Sequence, residues 1–183
     1  MRVIGGIYRS RRLRAVEGMS VRPTSDRLRE TLFNVLGARV AGSRFLDLCA
    51  GSGAVGIEAI SRGALAAVFV EQSRRACRVV EANLEALGIS GATTLICRDA
   101  VAALKQLEGS RAPFDVIFFD PPYASDLYTS VLGYLGESAL VAADGVLVVE
   151  HHAKLPPASD TGRLQRYRQL KQGESALAFY APV

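Results

Sequence analysis

The sequence predicts an α/β protein built on a doubly wound, mainly parallel sheet of seven strands. Three observations carry this. Short apolar runs of four to six residues recur between Arg44 and Glu150, and helical patterns separate them. A G-x-G-x-x-G loop, Gly51-Ser52-Gly53-Ala54-Val55-Gly56, stands between the first run and its helix. Acids stand at or just beyond the ends of four successive runs: Asp47, Glu71, Asp99 and Asp120. That is the edge where open parallel sheets bind ligands.

The elements follow in order. Val3-Ile4-Gly5-Gly6-Ile7-Tyr8 and Leu13-Arg14-Ala15-Val16 flank the basic stretch Arg9-Ser10-Arg11-Arg12 and read as two short strands of a hairpin. Pro23-Thr24-Ser25-Asp26 supplies a capping hydroxyl and a first-turn acid. Leu28, Leu32, Val35 and Leu36 continue at helical spacing, and Gly37 suits the end. Arg27 and Arg29 lie off that stripe, so the helix is expected to pack on the body and still present both arginines.

The body begins with the strand Phe45-Leu46-Asp47-Leu48, the glycine loop and a helix over Ala54 to Ser61. A strand at Ala67 to Val70 ends at Glu71. The helix Arg74 to Leu87 carries Ala76, Val79, Val80, Asn83, Leu84 and Leu87 on one side and closes at Gly88. Then come the strand Thr94 to Cys97, a helix Ala100 to Leu107, the strand Phe114 to Phe119 and a helix within Asp126 to Leu135. A fifth strand covers Val146 to Glu150. Gln165 to Leu170 and Ala176 to Tyr180 form a closing hairpin. The expected division is a basic extension over residues 1–40 and a sheet domain over residues 41–183.

Composition bounds the function. The chain has 183 residues, 49% of them hydrophobic, enough for one domain with a full core. The formal charge of +4 hides an asymmetry. Residues 1–44 carry ten arginines and three acids, residues 45–150 seven bases and thirteen acids, and residues 151–183 five bases and two acids. A basic head on an acidic body suggests an arm for a polyanion joined to a body with another task. Of the 22 cations nineteen are arginine, the residue suited to gripping planar phosphates and bases.

No apolar run approaches the roughly 18 residues of a membrane span. Cys49, Cys77 and Cys97 are odd in number and widely spaced, which argues against a disulfide scaffold. Cys77 and Cys97 read as buried structural thiols. His151 and His152 are adjacent and have no metal-ligand spacing. The expectation is a soluble cytoplasmic monomer without a metal.

The chemistry lies in two segments. The glycine loop, with Glu71 twenty residues beyond Gly51, fits a nucleoside cofactor whose ribose hydroxyls bind the acid. Asp47, just upstream, sits badly beside a pyrophosphate and suits a cationic amino-acid end. The second segment is Asp120-Pro121-Pro122-Tyr123. Its prolines stop the strand and fix the backbone.

The first segment, Asp47 to Gly53, resembles the first motif of class I methyltransferases, which use S-adenosylmethionine and release S-adenosylhomocysteine. On that resemblance the cofactor residues are Asp47, Cys49, Gly51, Ser52, Gly53, Glu71, Gln72, Asp99 and Ala100. The second resembles the D/N-P-P-Y/F motif of enzymes that methylate planar amino groups. Asp120 and the carbonyl of Pro121 would accept the two N–H bonds of a base amine, Pro122 would stiffen the turn, and Tyr123 would stack on the base. Whether Asp120 also takes the proton is left open.

Met1 to Gly6, Tyr8-Arg9, Arg12-Leu13, Arg22 to Arg27 and Arg29 to Asn34 extend the likeness. So do Asp47 to Glu58, Ser61 to Ala64 and Val70-Glu71. With Asp120 to Tyr123, they resemble the RsmD family of bacterial 16S ribosomal RNA guanine-N2 methyltransferases. Cys49 and Ile7 depart from the usual family pattern of an aromatic and a polar residue. The resemblance implies methylation of a guanine N2 in 16S rRNA, within an assembled or nearly assembled small subunit. Arg9, Arg11, Arg12, Arg14, Arg22, Thr24 and Arg27 would meet the RNA, Thr24 being equally compatible with covering the cofactor. The competing readings are the same chemistry on DNA adenine N6, another RNA base or a protein glutamine, an NAD-dependent oxidoreductase, and a non-catalytic RNA-binding module.

Overall fold

A computed structural model describes residues 1–16, 25–109, 112–123 and 125–183. The strands are β1 (Arg44–Leu48), β2 (Ala66–Glu71), β3 (Thr93–Cys97), β4 (Phe114–Phe119), β5 (Val141–His152), β6 (Asp160–Thr161), β7 (Leu164–Gln172) and β8 (Ser175–Pro182). They form one sheet in the order β3-β2-β1-β4-β5-β8-β7-β6. The first five are parallel, and the last three close one side antiparallel. The helices are α1 (Asp26–Leu36), α2 (Ala54–Ser61), α3 (Arg74–Leu87), α4 (Ala100–Glu108) and α5 (Leu127–Glu137). The sheet has eight strands where seven were expected. The additional β6 is two residues long, too short for a periodic signal.

Side-chain alternation along the strands builds two cores. Phe45, Val116, Phe118, Val146 and Val148 face one side, with α1, α2 and α3. Leu46, Leu48, Ile117, Phe119, Leu147 and Val149 face the other, with α4 and α5. Both faces are covered, so the strands read as continuous apolar runs. Strand order reverses between β1 and β4, which opens the crevice where such sheets bind ligands.

The N-terminal hairpin is reduced to one antiparallel bridge, Arg2 with Arg12. Bonds from Val3 N to Arg11 O (3.0 Å) and Leu13 N to Met1 O (3.1 Å) frame it. Its free backbone groups turn to α2 instead. Ile4 N and Gly5 N donate to the two oxygens of Glu58 (2.8 and 2.7 Å), and Tyr8 N to Ser61 Oγ (3.0 Å). Ser25 caps α1, its hydroxyl accepting from Leu28 N at 3.1 Å, with Asp26 in the first turn.

Two expectations need correction. Arg29 is not presented to solvent, being 0% exposed. Its Nη2 donates to Arg2 O (2.6 Å) and Asp26 Oδ1 (2.9 Å), and its Nε lies 3.8 Å from buried Glu58. The counter-charge 29 residues away is what allows the burial. Cys77 and Cys97 are joined as a disulfide, with Cα atoms 6.2 Å apart, rather than being separate thiols. The β2–β3 register sets Cys97 opposite Glu71, and the helix after β2 returns Cys77 to the same place.

Candidate active site

β1 delivers Asp47 to the crevice, 1% exposed. Its Oδ2 accepts from Gly56 N at 2.8 Å, inside the first turn of α2, where the helix dipole favours an anion. Burial pushes the carboxyl up to about 7, with Glu71 adding to it and the Gly56 bond opposing it. Gly56 has a packing reason to be glycine, since a Cβ there would collide with the Phe69 ring of β2. Gly53, at φ +78°, makes the left-handed turn into α2.

Glu71, at the end of β2, is buried and brackets the loop. One carboxylate oxygen accepts from Gly51 N (2.9 Å) and the other from Ser73 N (2.8 Å) at the start of α3. Cys49 holds a positive φ of 63°, an uncommon conformation for a side-chain-bearing residue. Burial, then the charges of Glu71, Asp120, Asp47 and Asp99, push its thiol far up, so it lines the site as an uncharged group.

These residues enclose a cavity of about 240 Å³. Of the expected cofactor residues, Asp47, Cys49, Gly51, Ser52, Glu71, Gln72 and Ala100 line it. Gly53 sits behind as the α2 cap, and Asp99 caps α4, its Oδ1 accepting from Ala102 N at 3.0 Å. Asp120 and Pro122 line it as well. Val55, Val70, Phe118 and Leu127 give the cavity its apolar walls. A buried carboxylate facing such walls fits a cationic nucleoside.

Asp120 follows β4, anchored by its N–H to Leu48 O (3.2 Å). Pro121 is buried, while Pro122 and Tyr123 are exposed. The Tyr123 hydroxyl shares a 2.7 Å hydrogen bond with Ser175 Oγ of β8, and its ring meets His152 edge-on at 5.7 Å. Tyr123 is therefore oriented by the closing hairpin.

Several site residues were not foreseen. Met1, Ala15 and Val16 of the N-terminal segment form part of the cavity wall. Asn83 ties the adjoining Arg14 to the glycine loop. Its amide nitrogen donates to Arg14 O (3.1 Å) and Ser52 O (2.9 Å), and its oxygen accepts from Arg14 N (2.8 Å). The available signal was a polar residue inside the apolar stripe of α3. Tyr128 of α5 also belongs here, donating to Glu150 O at 3.0 Å. Burial and the nearby Asp120, Tyr123 and Glu150 push its phenol up.

Of the expected RNA contacts, Arg9, Arg11, Arg12 and Arg14 are exposed on the N-terminal segment, and Arg27 on α1. Arg22 and Thr24 lie outside the described residues. No helix among the described residues is long and apolar enough to cross a membrane.

The arrangement recurs in known proteins. A family model described as "Conserved hypothetical protein 95" matches residues 1–181. A Bacillus subtilis protein named putative rRNA methyltransferase YlbH is 37% identical over 98% of both chains. Ribosomal RNA small subunit methyltransferase D of Escherichia coli is 31% identical over 98% of this chain and 89% of its own. Among solved structures, the putative methyltransferase yhhF of Escherichia coli superposes with a TM-score of 0.85 at 31% identity. It covers 100% of this chain and 97% of its own. Thermus thermophilus TTHA0928 does so at 0.85 and 34%, covering 100% and 99%. The match spans the glycine loop, the Asp120 turn and the N-terminal segment together, and the chain belongs to the RsmD family.

Proposed function

We propose that this protein methylates the exocyclic N2 amine of a guanine in 16S ribosomal RNA, with S-adenosylmethionine as donor and S-adenosylhomocysteine as product. It acts as a cytoplasmic monomer on the assembled or nearly assembled small subunit. The observation that carries this reading is the Asp120–Tyr123 turn, whose Asp120 and Pro122 line a cavity suited to a cationic nucleoside.

When bound, the donor supplies a methyl group made electrophilic by a sulfonium. Asp47 would face its ammonium end, Glu71 and Gln72 its ribose, and Asp99 with Ala100 its adenine. The amine is a poor nucleophile because its lone pair is delocalised into the ring. Asp120 and the Pro121 carbonyl accept its two N–H bonds and draw the nitrogen toward tetrahedral geometry. Positioning of this kind supplies much of the acceleration. The amine proton then leaves to the Asp120 carboxylate or to water. Tyr123 limits the plane of the base, a contact worth about 1–3 kcal/mol in single-strand recognition.

Residues 1–40 serve as the RNA-binding extension. Arg9, Arg11, Arg12, Arg14 and Arg27, joined by Arg22 and Thr24, contact the RNA. Phosphate contacts of this kind position without reading sequence. The names of the relatives support rRNA as substrate.

The test is a tritiated-methyl assay that offers small subunits, DNA and protein in parallel. Label in the RNA of the small subunit is expected. Label confined to DNA or to protein contradicts the proposal.

A further inference from the structure

Five parallel strands end on one edge of the sheet, and the first four acids there already have proposed roles. Glu150, near the end of β5, is the fifth. The β4–β5 register pairs Phe119 with Val149, so Asp120 and Glu150 stand side by side on neighbouring strands. Glu150 is 3% exposed, yet it lines a second cavity of about 270 Å³ that shares no lining residue with the first. Ser25, Tyr123, Gln172, Glu174 and Ser175 complete the wall.

The lining is rich in acceptors and contains no Lys or Arg among the described residues. Such a wall suits a ligand edge made of donors and repels a phosphate. The Tyr128 bond to the Glu150 carbonyl and the Tyr123–Ser175 bond fix two sides of the cavity. Tyr123 lines it, and the β4–β5 register sets Glu150 beside Asp120, so a base stacked on Tyr123 with its amine at Asp120 would reach Glu150.

Guanine carries two adjacent donors on its pairing edge, N1–H and the N2 amine. Adenine has an unprotonated N1 there. With the N2 amine held at Asp120, the next group along the ring is N1–H, directed toward the neighbouring strand. We propose that Glu150 is the specificity residue of this site and accepts guanine N1–H. The inference rests on the guanine-N2 reading above and deepens it. Sites built to hydrogen-bond a substrate group reject analogues lacking it, because the contact the site offers is then not made. One such contact discriminates by about 10- to 100-fold.

The probe is 2-aminopurine, which keeps the 2-amine but has an unprotonated N1. Small subunits are reconstituted on 16S RNA carrying guanine or 2-aminopurine at the target position, and kcat/KM is measured on each. The wild-type protein is expected to prefer guanine by 10-fold or more. Glu150→Gln offers an amide donor to the unprotonated N1 and should shift the ratio toward 2-aminopurine by at least 10-fold. Glu81→Gln, exposed on α3 and outside both cavities, should leave the ratio within about twofold.

Wild-type protein that treats the two bases alike overturns the inference without any variant having to fold. So does a ratio unchanged in Glu150→Gln, or one shifted as much in Glu81→Gln, with guanine-N2 methylation intact. Absence of guanine-N2 methylation in wild type removes the underlying reading and this inference with it.

Discussion

The two ends of the crevice are built differently. At the glycine-loop end the carboxylates are already engaged by backbone. Asp47 holds Gly56 N, and Glu71 spans Gly51 N and Ser73 N. At the acceptor end, Pro122 and Tyr123 are exposed, and Tyr123 is held by side-chain contacts to Ser175 and His152 on distant strands. The first end is a rigid frame that exists before any ligand arrives. The second is open on one side, as a site must be if its substrate is a base carried by a large RNA. The difference separates binding of the small ligand from chemistry on the large one.

The largest expected effect breaks the second end alone. Asp120→Ala should lower methyl transfer by about 10²- to 10³-fold, the scale of one lost preorganised polar contact. S-adenosylhomocysteine binding by calorimetry should change little. A parallel loss of both would join the two ends into one unit.

The next effect belongs to the first end. Asp47 must shed its proton to face an ammonium group. With its carboxyl held at about 7 in the free protein, S-adenosylhomocysteine affinity should fall about 10-fold per pH unit below that value and level off above it. Asp47→Asn should abolish the slope. The sign for stability is opposite. A raised carboxyl favours the protonated fold, so the free protein loses stability as pH rises from the ordinary carboxylate range to about 7.

Asn83→Ala tests how the N-terminal segment is tied to the frame. Three hydrogen bonds are lost at a buried site, so stability to denaturant should drop by about 1–3 kcal/mol. Cofactor affinity should weaken with it, because Met1, Ala15 and Val16 are part of the wall. Gly56→Ala forces a Cβ into the Phe69 ring and should cost a similar 1–3 kcal/mol, roughly the cost of overpacking. The smallest effect is on the arm's surface. Replacing Arg9 or Arg12 by Ala should reduce the salt slope of RNA binding by about one each, with cofactor binding unchanged.

The frame was legible in the sequence because its parts are local. Asp47, the glycines and Glu71 lie within 25 residues, and strand-loop-helix order fixes their meeting place. The Asp120 turn was legible for the same reason. What escaped notice depends on contacts far apart in the chain. Arg29 reads as a surface cation on a helical wheel, and its burial depends on the Arg2 carbonyl and the buried Glu58, both brought beside it by the fold, together with Asp26. Cys77 and Cys97 meet only through the β2–β3 register. Asn83 looks like a flaw in an apolar stripe until Arg14 and Ser52 are placed against it.

The most direct test of the whole account is the identity of the methylated atom. Small subunits incubated with the protein and S-adenosylmethionine are digested, and the 16S nucleosides are resolved by mass spectrometry. The account predicts a single N2-methylguanosine, formed about 10²- to 10³-fold more slowly with Asp120→Ala. A methyl group on adenine N6, or a signal that persists undiminished in Asp120→Ala, contradicts it.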